Sequence, residues 1–167
     1  EVARRLGVEE SPLWNGVDVG PRPPLEVHLS VTSRCGAGCK GCYVDARPDG
    51  HEPARAALEA ILSAVADAGA FTVAFGGGEP LARPDLGELA EAARALGLTP
   101  VVTTSGIGMT RERAAALRGF AQVNVSYDGE GQDYAEVRGF DGARSAERAM
   151  EMLREAGVPF GVNIVLT

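Results

Sequence analysis

The chain is 167 residues long, a length typical of one domain with a sizeable buried core. Its 16 basic and 23 acidic residues give a net charge of −7, which leaves no broad positive field to hold a nucleic acid. No apolar run reaches the roughly 18 residues of a membrane helix, and residues 1–20 lack the apolar stretch of a signal peptide. These features predict a cytoplasmic protein with neither a nucleic-acid partner nor a membrane partner.

The first predicted unit is residues 1–24, which show no periodicity and end in Pro-Arg-Pro-Pro. We predict an N-terminal extension and a stiff linker there, followed by a single core domain over residues 25–167. Within that domain, apolar and β-branched runs bounded by turn residues predict five strands that are covered on both faces. In chain order these runs are 27–32, 71–75, 100–104, 122–126 and 160–166.

Segments with helical periodicity separate the predicted strands. Apolar residues recur at i, i+3, i+4 and i+7 from Leu58 and again from Leu86, and a further helix over 143–156 follows Asp141 as a candidate N-cap. Alternating strands and helices predict a parallel sheet with right-handed crossovers, either an open doubly wound sheet or part of a barrel. In both architectures, ligands bind in the loops at the carboxyl ends of the strands. Glycines that follow the last periodic residue predict where helices end: Gly69, Gly97, Gly119 and Gly157.

All three cysteines, Cys35, Cys39 and Cys42, lie within eight residues directly after the first predicted strand. Three thiols on one glycine-rich loop cannot all pair with one another, so a soft metal centre is the natural interpretation. Iron–sulfur clusters usually take four ligands, and three would leave one iron open to a substrate. The alternative is a zinc-stabilised or electron-transfer module, in which His51 could complete a closed zinc site.

Polar residues and glycines follow the later strands. The second strand runs into Gly-Gly-Gly-Glu-Pro, where glycines permit close backbone approach and Glu79 can accept a hydrogen bond from an ammonium group. Ser105 follows the third strand, Ser126 ends the fourth, and Asn163 lies in the fifth. Arg138 carries a guanidinium group whose fork suits a carboxylate. Ordinary turns and solvated side chains are the alternative interpretation of these positions.

Together these motifs resemble those of the radical S-adenosylmethionine (SAM) superfamily, over about residues 25–166. The spacing Cys-x3-Cys-x2-Cys is similar to the cluster motif of that family, and Gly-Gly-Glu-Pro is similar to its SAM-binding motif. The Ser-x-Asp-Gly at 126–129, with the later Arg-Gly, resembles the SPASM/twitch-type branch that modifies ribosomally made peptides or builds cofactors. The resemblance implies an α/β fold, a partial (β/α)6 TIM-like barrel with five of its strands in this chain.

The resemblance also implies the chemistry. Members hold a 4Fe–4S cluster on the three cysteines and bind SAM at the open iron. An external donor of flavodoxin or ferredoxin type reduces the cluster, SAM is cleaved, and a 5′-deoxyadenosyl radical abstracts hydrogen from a substrate, here a peptide or a small cofactor precursor. The residues that the resemblance assigns to SAM are Gly77, Gly78 and Glu79 at the amino group, Arg138 at the methionyl carboxylate, Ser126 at the ribose or methionyl part, and Ser105, Asn163 and Tyr43 elsewhere on the ligand.

The sequence departs from the family pattern at one position of the cysteine motif. Members often carry an aromatic residue just before the third cysteine, where it packs near the adenine, and this chain has Gly41 there. We expect Tyr43, on the other side of Cys42, to take over part of that shielding.

Both ends of the sequence lead us to expect an excerpt of a longer protein. The first residue is Glu1 rather than an initiator Met, and the sequence ends at its fifth predicted strand, one short of the six that the family usually has.

Overall fold

The structure is a computed structural model that describes residues 23–165. The predicted N-terminal extension lies almost entirely outside the described residues, as does Leu166 at the end of the fifth predicted strand. The strands are β1 (Glu26–Thr32), β2 (Thr72–Gly77), β3 (Thr99–Thr104), β4 (Gln122–Ser126) and β5 (Phe160–Asn163). The helices are α1 (Arg55–Asp67), α2 (Leu86–Ala95), α3 (Arg111–Ala116), α4 (Gly131–Arg138) and α5 (Ala143–Glu155), with short 3-10 turns at Pro80–Ala82 and Leu117–Gly119.

The five strands form one parallel sheet in the order β1-β2-β3-β4-β5. In a doubly wound sheet the chain first adds strands on one side of the first strand and then on the other. In this sheet each new strand is added on the same side of the previous one. With right-handed crossovers, one direction of growth places all the connecting helices on the same face of the sheet. The prediction of a partial α/β barrel is therefore confirmed, and the doubly wound alternative is wrong.

The core lies between the sheet and its helices. Val73, Phe75, Val102 and Val123 are buried on the helical side, and the Phe75 ring meets Phe120 edge to face at 5.4 Å. The strand residues between them point to the concave side of the sheet and are half-buried or exposed. In β3 this alternation extends along the whole strand. Among residues 23–165 the strands are thus covered fully on one face, not on both as predicted.

One helix and one N-cap differ from the sequence predictions. Helix α4 was not predicted because it starts at a glycine and carries few apolar residues. Asp141 does not cap α5, whose N-cap is Gly142 without a side-chain hydrogen bond. The glycines at helix ends are confirmed by left-handed backbone at Gly69, Gly97 and Gly157, whereas Gly119 lies in a 3-10 turn. Over residues 23–165, no helix combines the length and the apolar composition that crossing a membrane requires.

Helix α3 depends on a side-chain cap at its N-terminus. Thr110 Oγ1 accepts a hydrogen bond from the Arg113 N–H at 3.2 Å. We expect Thr110→Ala to lower the free energy of unfolding by about 1 kcal/mol in urea denaturation, because one N–H at the helix start loses its partner. Thr110→Ser keeps the oxygen and should retain most of that stability. An Ala variant as stable as the parent would contradict the assignment of this cap.

Candidate cofactor site

The three cysteines lie on the long loop that connects β1 to α1. The first part of this loop pairs with its return segment: the Cys35 N–H donates to the Arg47 carbonyl at 2.9 Å and the Ser33 N–H to the His51 carbonyl at 2.8 Å. A parallel bridge between Arg34 and Arg47 reinforces the pairing. This backbone ladder holds Cys35 directly beyond the carboxyl end of β1, where the family resemblance expects a cluster.

The three thiols are free and half-buried. Backbone N–H groups point at two of the sulfurs, from Ala37 to Cys35 Sγ at 3.4 Å and from Ala46 to Cys42 Sγ at 3.5 Å. Such donors stabilise negative charge on sulfur, the form in which cysteine binds a metal. The loop therefore presents thiols whose surroundings are prepared for ligation.

Negative charge in the site disfavours ionisation of the Cys35 thiol. Burial raises the pKa of the Cys35 thiol, and negative charge on Glu79, Cys39 and Cys42 raises it further. A bound metal centre would offset this repulsion by stabilising the thiolate form.

A single metal ion does not fit this arrangement. Among residues 23–165, no three His, Cys, Asp or Glu side chains stand close enough together to ligate one ion. The zinc alternative with His51 needs four ligands around one ion and is not supported. In a multi-iron cluster each thiolate binds its own iron, so the ligands stand further apart, and this donor set fits such a cluster.

Glu79 is buried just beyond β2, and its carboxylate accepts four hydrogen bonds. Oε1 accepts from the Leu81 N–H at 3.0 Å and the Thr104 hydroxyl at 2.6 Å, while Oε2 accepts from the Ser105 N–H at 2.9 Å and the Ser105 hydroxyl at 2.5 Å. Two carboxylate oxygens offer about four lone-pair sites in all. Glu79 thus connects the β2 loop to the end of β3. An ammonium group must displace one of these four donors to reach a lone pair of the Glu79 carboxylate.

The glycines before Glu79 allow β2 to approach the end of β1. A Cβ on Gly77 would lie 2.2 Å from the Thr32 carbonyl oxygen, and one on Gly78 would lie 2.2 Å from that of Arg34. The Gly78 N–H donates to the Thr32 carbonyl at 2.7 Å, so the approach is also a hydrogen-bonded contact. These two positions therefore require glycine for packing, independently of their predicted role in SAM binding.

A cavity of about 270 Å³ opens between the cysteine loop and the loops after β2 and β3. Cys35 and Glu79 both line it, together with Arg34, Ile107 and Arg113. The structure therefore brings the first cysteine and the Gly-Gly-Glu-Pro carboxylate to one cavity, although they are 44 positions apart in the sequence.

Arg138, at the end of α4, lies against the second cysteine. Its Nε donates to the fully buried Asp128 carboxylate, and its Nη1 lies 3.9 Å from Cys39 Sγ. Its carbonyl accepts from the Lys40 N–H at 2.7 Å, which anchors the helix end to the cysteine loop. Within residues 23–165 the Nη2 group makes no hydrogen bond, which leaves its N–H donors available to a ligand.

Ser126, Asn163 and Tyr43 lie towards the concave face of the sheet. The β4–β5 register pairs Ser126 with Asn163 at the carboxyl ends of those strands. The Tyr43 side chain is 87% exposed, and its hydroxyl lies near Gly76, where an added Cβ would be 3.9 Å away. Tyr43 belongs to the cysteine loop, whereas the Ser126 and Asn163 side chains make no hydrogen bond to that loop among the described residues.

Comparison with known families identifies the family to which the chain belongs. The model of the radical SAM superfamily matches residues 29–167. The chain belongs to the radical SAM superfamily. That family uses a 4Fe–4S cluster and SAM.

The chain is similar to several characterised members of this superfamily. The chain is 32% identical over 152 residues to a PqqA peptide cyclase of Gluconobacter oxydans (strain 621H), covering 87% of the chain and 42% of the cyclase. It is 34% identical over 142 residues to an Fe-coproporphyrin III synthase of Methanosarcina barkeri (strain Fusaro), covering 82% and 36%. The solved structure of native anSMEcpe with bound AdoMet and the Cp18Cys peptide superposes with a TM-score of 0.68 at 26% identity, covering 84% of this chain and 42% of that one. The chain thus spans about two fifths of the length of these proteins.

One residue of the radical SAM core escaped the sequence analysis. Arg83 is buried, and its Nη1 donates to the Val31 carbonyl at 3.0 Å and to the Pro53 carbonyl at 2.8 Å. Its remaining N–H groups pair with Asp85, and this hydrogen bonding holds the pKa of the Asp85 carboxyl below its usual range. Because Val31 and Pro53 flank the cysteine loop, Arg83 fastens both ends of that loop. The only signal in the sequence is an Arg-Pro-Asp turn, which by itself predicts no such contact.

Proposed function

We propose that Cys35, Cys39 and Cys42 hold a 4Fe–4S cluster and that this chain is the SAM-cleaving core of an enzyme. The observation that carries the proposal is the set of three free thiols at the carboxyl end of β1, beside a cavity that Glu79 also lines. When bound, the reduced cluster supplies one electron to SAM, which is cleaved to methionine and a 5′-deoxyadenosyl radical that abstracts hydrogen from the substrate.

The methionyl end of SAM is assigned to Gly77, Gly78, Glu79 and Arg138. Arg138 is pre-oriented by the buried Asp128, and its Nη2 edge suits a carboxylate. Glu79 carries negative charge into the cavity next to Cys35, which favours an ammonium group there. Both side chains therefore act on the same end of the ligand that chelates the open iron.

The remaining SAM contacts are proposed for Ser126, Asn163, Tyr43 and Ser105. The exposed ring of Tyr43, near Gly76, can cover an adenine in place of the aromatic residue missing from the motif. Ser126 and Asn163 present paired polar groups on the concave face. Ser105 donates its hydroxyl hydrogen to Glu79, so besides its proposed contact with SAM it holds that carboxylate in place.

The substrate is proposed to be a ribosomally synthesised peptide or a cofactor precursor. Similarity to PqqA peptide cyclase and to a structure with a bound peptide supports the peptide, and similarity to Fe-coproporphyrin III synthase supports the precursor. Each turnover of SAM cleavage needs one electron, so an external donor of flavodoxin or ferredoxin type is proposed as a partner.

Anaerobic reconstitution of the full chain tests the proposal. We expect about four irons and four sulfides per chain, a brown absorbance that changes on addition of SAM, and 5′-deoxyadenosine when a reductant is present. Deuterium transfer from a fully deuterated candidate peptide to 5′-deoxyadenosine would identify the substrate class, with the Cys39→Ala protein as the blank. A colourless protein that binds zinc and releases no 5′-deoxyadenosine would overturn the assignment.

A further inference from the structure

Strand β4 carries two amide side chains on the concave face of the sheet. Gln122 and Asn124 alternate with the buried Val123 and Val125, so both amides point away from the helices. The Gln122 Nε2 group donates a hydrogen bond to Asn124 Oδ1 at 2.7 Å. This bond orients two side chains that would otherwise rotate freely in solvent.

The neighbouring strands leave room for this amide pair. Gly161 of β5 is the register partner of Asn124, and a Cβ there would lie 2.8 Å from Gln122 Nε2 and 3.1 Å from Asn124 Oδ1. On the other side, β3 places Val101 beside Gln122 and Thr103 beside Asn124. The pair therefore lies among short side chains, and a larger residue at position 161 would displace it.

The amide pair presents one donor group and one acceptor group. After their mutual hydrogen bond, Asn124 retains its NH2 group and Gln122 its carbonyl oxygen. If both amides flip over, the two roles exchange, but one donor and one acceptor still remain. The pair is open to solvent, so a ligand can take the place of water there. A peptide group, with one N–H and one C=O, is the complement of this arrangement.

The charged side chains on the same face of the sheet are engaged with each other. His28 and Glu26 lie on β1, where His28 Nε2 is 2.9 Å from Glu26 Oε1. The amide pair itself carries no charge, so it favours a neutral polar group over a carboxylate or an ammonium group.

The amide pair lies directly next to the proposed SAM site. Ser126, a proposed SAM contact, is the next residue after Asn124 on the same face of β4. Two residues of a strand span about 6.6 Å. A substrate group bound to the pair therefore lies close to SAM, as hydrogen abstraction requires.

We propose that Gln122 and Asn124 bind a main-chain amide group of the substrate and so position a peptide on the concave face. The proposal rests on the SAM-cleaving activity given under Proposed function. Of the two substrate classes named there it selects the peptide, because a peptide supplies the N–H and the C=O that match the pair.

The test compares two probes on the reconstituted full chain with SAM and without reductant. One probe is end-capped trialanine, and the other is the end-capped lactic acid trimer, in which each alanine amide N–H is replaced by an ester oxygen. Affinities are measured by saturation-transfer nuclear magnetic resonance. We expect the parent to bind the peptide about tenfold more tightly than the ester, which cannot donate a hydrogen bond.

Gln122→Leu should bind the peptide about tenfold more weakly than the parent and should no longer distinguish it from the ester. The matched control is Gln132→Leu, which removes an exposed amide on α4 that donates to Glu136 at 3.1 Å, and it should behave as the parent does. Gly161→Ala keeps both amides but crowds them, so it should also weaken peptide binding.

Fully deuterated trialanine supplies a second measurement once a reductant is added. Deuterium should appear in 5′-deoxyadenosine in the parent and in Gln132→Leu, and less of it in Gln122→Leu. Equal affinity of the parent for peptide and ester, binding of neither probe, or parent-like affinity in Gln122→Leu would overturn the proposal. A parent that binds the peptide as expected but releases no 5′-deoxyadenosine would support the amide subsite and refute the SAM-cleaving function.

Discussion

Replacing any one of Cys35, Cys39 and Cys42 by Ala is expected to abolish the 4Fe–4S signal after anaerobic reconstitution. Each thiolate would ligate one iron, and the chain contains no fourth cysteine to substitute for a lost ligand. The backbone ladder from Ser33 to His51 holds the loop independently of the thiols, so the variants should fold.

Lys40→Ala is the matched control for the cysteine variants. It changes a side chain between two of the ligands, while the Lys40 N–H that contacts Arg138 is retained. This control should assemble the full complement of iron, which is measured together with sulfide content and the paramagnetic signal of the reduced protein. Full iron content in Cys39→Ala would show that the cluster is bound elsewhere.

Glu79→Gln and Arg138→Ala are each expected to weaken SAM binding by roughly tenfold to a hundredfold, the worth of a desolvated charge-assisted contact of about 1.5–3 kcal/mol. Gln replaces one acceptor oxygen of Glu79 by an NH2 group. If Oε2 is replaced, that group faces the two donors of Ser105, and if Oε1 is replaced, it faces the donors of Leu81 and Thr104. Arg138→Ala leaves the buried Asp128 carboxylate without its cation, at a cost of about 3–5 kcal/mol in stability.

SAM titration of the reconstituted proteins, followed by the spectral change of the cluster, measures the affinity, and the yield of 5′-deoxyadenosine is the second readout. Arg138→Lys is the conservative control, since it keeps the positive charge but loses the planar fork. We expect it to retain more stability than Arg138→Ala while still binding SAM less tightly than the parent. Parent-like affinity and yield in Glu79→Gln and Arg138→Ala, at equal iron content, would show that SAM binds to other residues.

Much of the chain could be interpreted from local pattern. The strand predicted over residues 122–126 matches β4 residue for residue, and Gly69, Gly97 and Gly157 end helices in left-handed backbone as expected. These features depend on neighbouring residues only: apolar runs form strands, and a residue without a Cβ adopts positive φ at little cost. The cysteine spacing is similarly local, because all its ligands lie on one loop.

Tertiary structure decided the hydrogen-bond partners within the site. Glu79 meets Thr104 and Ser105 because β2 and β3 are neighbours in the sheet, and no pattern around Glu79 specifies that pairing. Helix α4 escaped prediction because its apolar content is low, and its buried residue Tyr134 packs between Tyr127 and Phe140.

Local spacing therefore determined which residues are candidates for a cofactor, namely the cysteines, Glu79 and Arg138. Only the folded chain decided which atoms of those residues are already engaged and which remain for a ligand. The physical reason is that donors and acceptors are satisfied by whatever long-range strand pairing and packing bring within about 3 Å. Asp128 accepts from the Nε of Arg138, and the Glu79 carboxylate accepts from Thr104 and Ser105 as well as from Leu81.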